Sequence, residues 1–188
     1  MPFPVFFDTC ALYGETVCDL TLRLAEAGMF QPYWFRGVLE ELERVLEPRI
    51  GEKQVSKRIA TMEGCFPDAC VTNYESLTSM MTCDPNDRHI LAAAVASPAY
   101  TLVTFNLKDF PESSYRPYQI EIKDPDCFLC DLLDLHHSEV ATIAWDLMNS
   151  YKKPPVDINE YLGILRRSAL PQFSQEIGKA LRDFSQHQ

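Results

Sequence analysis

Four carboxylates and one amide, scattered along 188 residues, are the chemically suggestive groups of this chain: Asp8, Glu41, Asp87, Asn106 and Asp109. Hard oxygen donors of this kind suit Mg²⁺ or Mn²⁺ better than zinc. A cluster built from them makes sense where phosphate oxygens and water complete the coordination shell. The four histidines offer no rival set. His89 lies beside alanines in a helical pattern, His136 and His137 open another helix, and His187 is in the tail.

Each acid also has a plainer explanation. Asp8 closes the apolar run "VFF" and is either a turn residue or a member of a cluster. In "RGVLEELERVLE" (36–47), a turn of ~100° per residue gathers Val38, Leu39, Leu42, Val45 and Leu46 on one arc. Glu40, Glu43, Arg44 and Glu47 fall away from that arc, whereas Glu41 borders it. Glu41 therefore either reaches water from the boundary or points into the protein. In "CDPNDRHILAAAVA" (83–96), Asp84 is an N-cap with Pro85 at the first helical position, which explains it structurally. Asp87 falls at the start of the apolar stripe of Ile90, Leu91, Ala94 and Val95. An inward carboxylate needs a partner or a metal, because burying it bare is costly. "LVTFNLKDFP" (102–111) places Thr104, Asn106 and Asp109 after an apolar strand, either as an ordinary loop or as polar groups around a site.

The elements that must position these groups alternate. Strand patterns cover 5–7, 32–35, 70–72, 100–105 and 118–122. Helical patterns cover 12–28, 36–47, 53–64, 74–80 and 86–97. This alternation predicts an α/β fold with a parallel sheet, whose ligand crevice lies beyond the carboxyl ends of the strands. Asp8 and the residues after Phe105 sit at two such ends. From about 136 the pattern is helical only. "KKPP" breaks one helix, Asp157 and Glu160 form a capping-box pattern for the next, and a last helix follows Pro171. The expected organisation is residues 1–135 as the α/β domain and 136–188 as a helical subdomain.

Bulk properties set limits. The net charge of −10 argues against nucleic-acid binding through broad electrostatics, but not against an acidic site neutralised by divalent ions. No apolar run approaches the ~18 residues of a membrane span, and no signal-peptide pattern is visible. Seven scattered cysteines fit a reducing cytoplasm. "CFLC" (127–130) has no second pair and is expected to be buried core.

"FFDTCALY", "VLEELERVL", "DPNDRHILAAAVA" and "LVTFNLKDF", in this order and spacing, resemble PIN-domain ribonucleases, in particular the VapC-like toxins of toxin–antitoxin pairs. The likeness covers residues 4–134, and the helical tail resembles the extra C-terminal domain of some of these toxins. The resemblance implies a Rossmann-like parallel sheet flanked by helices, a Mg²⁺- or Mn²⁺-dependent endoribonuclease, an RNA substrate cut to 5′-phosphate and 3′-hydroxyl ends, a cognate antitoxin, and a possible homodimer. It assigns Asp8, Glu41, Asp87 and Asp109 to catalysis, with Asp8, Asp87, Glu41 and Asn106 as metal ligands. Asn106 stands where many members carry aspartate, and Arg36 where Ser or Thr is common. Thr9, Thr104, Arg36 and Arg88 are expected to touch substrate. Arg49, Lys53, Lys57, Arg58 and Lys108 are further RNA candidates. The alternative is a PIN fold that no longer cuts and serves as a scaffold, which Asn106 favours.

Overall fold

The computed structural model describes residues 2–151 and 155–186. Most of "KKPP" and His187 therefore lie outside the described residues. In chain order the elements are β1 (Phe3–Phe7), α1 (Thr9–Tyr13), α2 (Glu15–Glu26), β2 (Phe30–Phe35), α3 (Arg36–Ile50), α4 (Glu52–Cys65), β3 (Cys70–Val71), α5 (Glu75–Thr78), α6 (Arg88–Ala96), β4 (Thr101–Val103), α7 (Glu112–Tyr115), β5 (Glu121–Lys123), α8 (Pro125–Leu135), α9 (His137–Ser150), α10 (Ile158–Arg167) and α11 (Pro171–Gln186). The chain divides into two compact units. The first comprises 1–13 and 30–124, the second 14–29 and 125–188.

The first unit is a five-stranded parallel sheet in the order β3-β2-β1-β4-β5, flanked by helices. A central parallel strand is covered on both faces and so reads as continuously apolar. Val5, Phe6 and Phe7 obey this and are fully buried. Phe6 stacks on Phe35 at the end of β2, with ring centroids 6.4 Å apart. Burying each such side chain contributes about 1.5–3 kcal/mol. Phe7 pairs with Val103 in register, and the Asp8 amide then donates to the Val103 carbonyl at 3.1 Å. The carboxyl ends of β1 and β4 thus finish side by side, which brings Asp8 next to Thr104.

Two helices differ from the sequence expectation in ways that matter for the site. α3 runs through Pro48 to Ile50 and stops at Gly51, whose φ of +84° suits glycine. The later helix starts at Arg88, not at Pro85. Asp84 does not cap it. Its carboxylate instead accepts from the Asn86 amide at 2.9 Å, an Asx turn that holds 84–87 out of the helix. Asp87 becomes the N-cap and makes no side-chain capping bond.

The second unit packs α2 with α8, α9, α10 and α11. Its division from the first unit falls at 124/125, ahead of the expected 135/136, and includes α2. The physical reason is that α8 and α2 bury their apolar faces against these helices: Phe128, Leu129, Leu132 and Leu133 from α8, and Val17, Leu20 and Leu24 from α2. Asp126 also accepts from the Gln172 and Phe173 amides at 2.9 and 2.8 Å, which ties α8 to the start of α11. The expected capping box is present. The Glu160 amide donates to Asp157 at 2.9 Å and the Asp157 amide to Glu160 at 3.1 Å. Of "CFLC", Cys130 is buried but Cys127 is exposed, because i and i+3 of α8 straddle the edge of its apolar face.

Candidate active site

A cleft of about 980 Å³ opens in the first unit. Its lining includes Asp8, Thr9, Cys10 and Tyr13 after β1, and Gly37, Glu41, Arg44, Val45, Pro48 and Arg49 from α3. Asn86 and Asp87 before α6, His89 and Ile90 in its first turn, and Asn106 after β4 complete it.

Asp8 is the best-fixed group. It is 5% exposed. One carboxylate oxygen accepts from the Thr9 amide at 2.7 Å. The other accepts from the Thr104 hydroxyl at 2.7 Å and from the Cys10 thiol at 3.0 Å. Thr104 is fully buried, so its hydroxyl orients Asp8 and is sealed away from a substrate. Cys10 Sγ also lies 3.2 Å from Thr104 Oγ1 and accepts from the Phe105 amide at 3.2 Å. The Asn106 amide donates to Thr104 Oγ1 at 3.1 Å, so the loop after β4 is pinned to the same cluster. Burial, the Asp8 charge and the hydrogen bond to Asp8 push the Cys10 thiol up to about 12. Cys10 therefore stays protonated and acts as a donor.

Asp87 stands half-buried with no side-chain hydrogen bond among the described residues. Its proton affinity is raised above the usual carboxylate range, first by burial and then by the charges of Asp8, Asp109 and Asp84, with His89 opposing. Asp109 contributes charge but does not line the cleft; Asn106 does. Glu41 lines the cleft, and its carboxylate accepts from Arg44 at 3.2 Å. Glu40 is exposed and pairs with Arg36. Among the described residues, no three of His, Cys, Asp and Glu converge closely enough to hold one ion.

The basic candidates separate clearly. Arg36 bridges Glu40 and Glu63 and is not part of the lining. Arg88 is also outside it, with a buried Nε that finds no partner. Arg58 donates to the Leu12 carbonyl at 2.6 Å and ties α4 to α1. Lys53, Lys57 and Lys108 are exposed and away from the lining. Arg49 does line the cleft, its guanidinium 5.1 Å over the Tyr13 ring. Thr9 lines it too, with a buried hydroxyl that has no partner.

Cys10, Tyr13, Arg44, Asn86 and His89 were not marked by the sequence pattern. For Arg44 a signal existed. It is three residues from Glu41 and so shares its helix flank, but the apolar arc of α3 marks the packed face and not the cleft beside it.

Comparison with known proteins decides the family. Residues 4–108, more than half of the chain, match the PIN domain. The chain belongs to the PIN-domain family. Residues 125–179 match the VapC50 C-terminal domain, a boundary that coincides with the start of α8. The chain is also 35% identical over 127 residues to the Mycobacterium tuberculosis (strain H37Rv) protein named "Putative ribonuclease VapC50", covering 68% of this chain and 74% of that one. No solved structure matches it.

PIN-domain nucleases use divalent metal, and the donor set here fits one. Asp8 and Asp87 are carboxylates in one cleft, and part of the rise in Asp87 proton affinity is their mutual repulsion. A hard cation relieves that repulsion. Asp8 retains acceptor capacity, since a carboxylate offers about four lone-pair sites and three are used.

Proposed function

We propose that this PIN-domain protein is a divalent-metal-dependent endoribonuclease that hydrolyses RNA phosphodiesters and serves as the toxin of a toxin–antitoxin pair. The observation that carries the reading is the buried Asp8, held on one oxygen by Thr104 and Cys10 and on the other by the Thr9 amide, in a cleft that also contains Asp87. The VapC50 C-terminal match and the ribonuclease relative support it.

Asp8, Asp87 and Glu41 would hold Mg²⁺ or Mn²⁺, with Asn106 as a neutral fourth donor. Bound there, such an ion lowers the pKa of a water molecule and stabilises charge on the phosphate oxygens. The chain's own groups do the rest. Thr104 and Cys10 fix the direction of Asp8, so its geometry needs no reorganisation when substrate arrives. Asp87, whose proton affinity is raised first by burial and then by its acidic neighbours, completes the anionic side of the cleft that a cation would neutralise. The Thr9 hydroxyl is buried and unpartnered, so it is the Thr9 backbone amide, donated to Asp8, that serves the site. Asp109 supplies negative potential from the edge. An antitoxin would silence the protein by occupying this cleft, and a homodimer is the expected assembly. No helix among the described residues is long and apolar enough to cross a membrane, and a cytoplasmic location agrees with the RNA substrate.

The test is cleavage of a labelled RNA by the full chain with Mg²⁺, Mn²⁺ or EDTA, beside Asp8→Asn. Metal-dependent cutting that is lost in Asp8→Asn supports the reading. Asn106, and the fact that no three ligands converge among the described residues, favour a second reading, a PIN-fold scaffold that does not cut. That reading requires intact RNA together with a melting temperature that does not respond to millimolar Mn²⁺. A ligand at a hundredfold excess over Kd would stabilise the fold by ~2.7 kcal/mol.

A further inference from the structure

The cleft lining carries carboxylates and guanidinium groups together. Asp8, Asp87 and Glu41 are anionic, whereas Arg44 and Arg49, both on α3, are cationic. Glu41 belongs by type with the acids, yet its carboxylate is engaged by Arg44 through a single contact of 3.2 Å. That pair is open to water, with Arg44 72% and Glu41 44% exposed. An exposed pair at i,i+3 is weak and easily exchanged. Arg49 is held otherwise, over the Tyr13 ring, with no carboxylate partner among the described residues. A phosphodiester can displace Glu41 from Arg44, because guanidinium can bind phosphate oxygens through two parallel charge-assisted bonds where Glu41 supplies one.

We infer that Arg44 is a substrate-phosphate contact whose resting partner is Glu41, so that an RNA phosphate entering the cleft takes Arg44 and releases the Glu41 carboxylate to the acidic centre. The inference rests on the RNA-hydrolase reading and goes beyond it. It makes Arg44 a positioning residue for Glu41 as well as a substrate contact. It explains why no three acids converge among the described residues, since one of them is turned to a cation. It also requires RNA and divalent ion to strengthen each other's binding by the same factor, because coupling between two ligands is reciprocal.

The experiment is a double-mutant cycle read by metal binding rather than by activity. Wild type, Arg44→Gln, Glu41→Gln and the double variant are titrated with Mn²⁺, following free Mn²⁺ by electron paramagnetic resonance. Each titration is run with and without a single-stranded 2′-O-methyl RNA checked to be intact afterwards. Thermal melts establish that all four fold. In wild type the RNA should tighten Mn²⁺ binding about two- to fivefold, the scale of an exposed ion pair. Arg44→Gln should tighten Mn²⁺ binding of the free protein by a similar factor and lose most of the RNA effect. In the Glu41→Gln background, Arg44→Gln should change Mn²⁺ affinity far less. Arg49→Gln should weaken RNA binding while leaving the Mn²⁺ affinity of the free protein unchanged. Equal tightening by Arg44→Gln with and without Glu41 would mean a general charge effect and overturn the inference. So would an unchanged Mn²⁺ affinity when RNA binds wild type. If wild type cuts RNA and the cycle is flat, only this inference falls. If wild type binds neither Mn²⁺ nor RNA, the hydrolase reading falls with it.

Discussion

Removing the Thr104 hydroxyl, as in Thr104→Val, isolates the interaction that fixes Asp8. The substitution keeps the shape of a fully buried side chain and deletes one 2.7 Å donor to the carboxylate. It also strips the Asn106 amide of its acceptor and Cys10 of a neighbour. A hydrogen bond to a charged group contributes about 1.5–3 kcal/mol, and the loss here leaves Asp8 short of a partner in a buried site. At this chain length 1 kcal/mol corresponds to roughly 2–4 °C, so the melting temperature should fall by about 3–12 °C. Thr104→Ser retains the donor, loses only a methyl group, and should cost about 1 kcal/mol. The assays are thermal denaturation at neutral pH and single-turnover RNA cleavage, in which Thr104→Val should lose far more rate than Thr104→Ser. A Thr104→Val protein as stable and as active as wild type would refute the claim that this hydroxyl positions Asp8.

Other substitutions probe the remaining groups. Asp87→Asn should abolish cleavage yet raise the melting temperature without metal, because burial and the charges of Asp8, Asp109 and Asp84 oppose ionisation of Asp87. The sign follows from the raised folded pKa. The contribution of Asp87 to stability is present below its ordinary value of 3.8 and is lost as pH rises through the raised value, so the gain from Asn should be larger at pH 7 than at pH 3. A melting temperature that drops at pH 7 would contradict this. Glu41→Gln should impair cleavage and Glu40→Gln should be nearly silent, since only Glu41 lines the cleft; the reverse pattern in the same assay would displace α3's role. At pH 8 the Cys10 thiol, pushed up to about 12, should alkylate far more slowly than exposed Cys70, as peptide mapping after iodoacetamide would show; rapid labelling of Cys10 would contradict its role as a protonated donor.

Much of the first unit was legible because its signals are local. The apolar run "VFF", set among alternating strand and helix patterns, marks a central parallel strand, and helix phase separates Glu41 from Glu40. The start of α6 was misplaced because Asp84-Pro85 satisfies the rules for both a helix N-terminus and an Asx turn; only the fold around it selects the turn. Cys10 was invisible for a different reason. Its importance lies in contacts with Thr104 and Phe105, over ninety residues away, and no periodicity encodes a contact at that range. The division at 124/125 was hidden likewise, since the apolar face of α8 looks the same whether it covers a sheet or other helices.

The place of α2 in the chain bears on how the protein is made. Glu15–Glu26 leaves the ribosome early, but α9, α10 and the other helices it packs among are encoded after residue 124. Between Glu26 and His137 about 110 residues must be added, roughly 5–20 s at ordinary elongation rates. During that interval Val17, Leu20 and Leu24 have no permanent cover. A stop ahead of α9 would leave this face bare, so such truncated products should be insoluble or degraded rather than accumulate as a nuclease lacking its tail. For a protein whose activity endangers its own cell, that is a safeguard: completing translation becomes a condition for yielding a lasting nuclease.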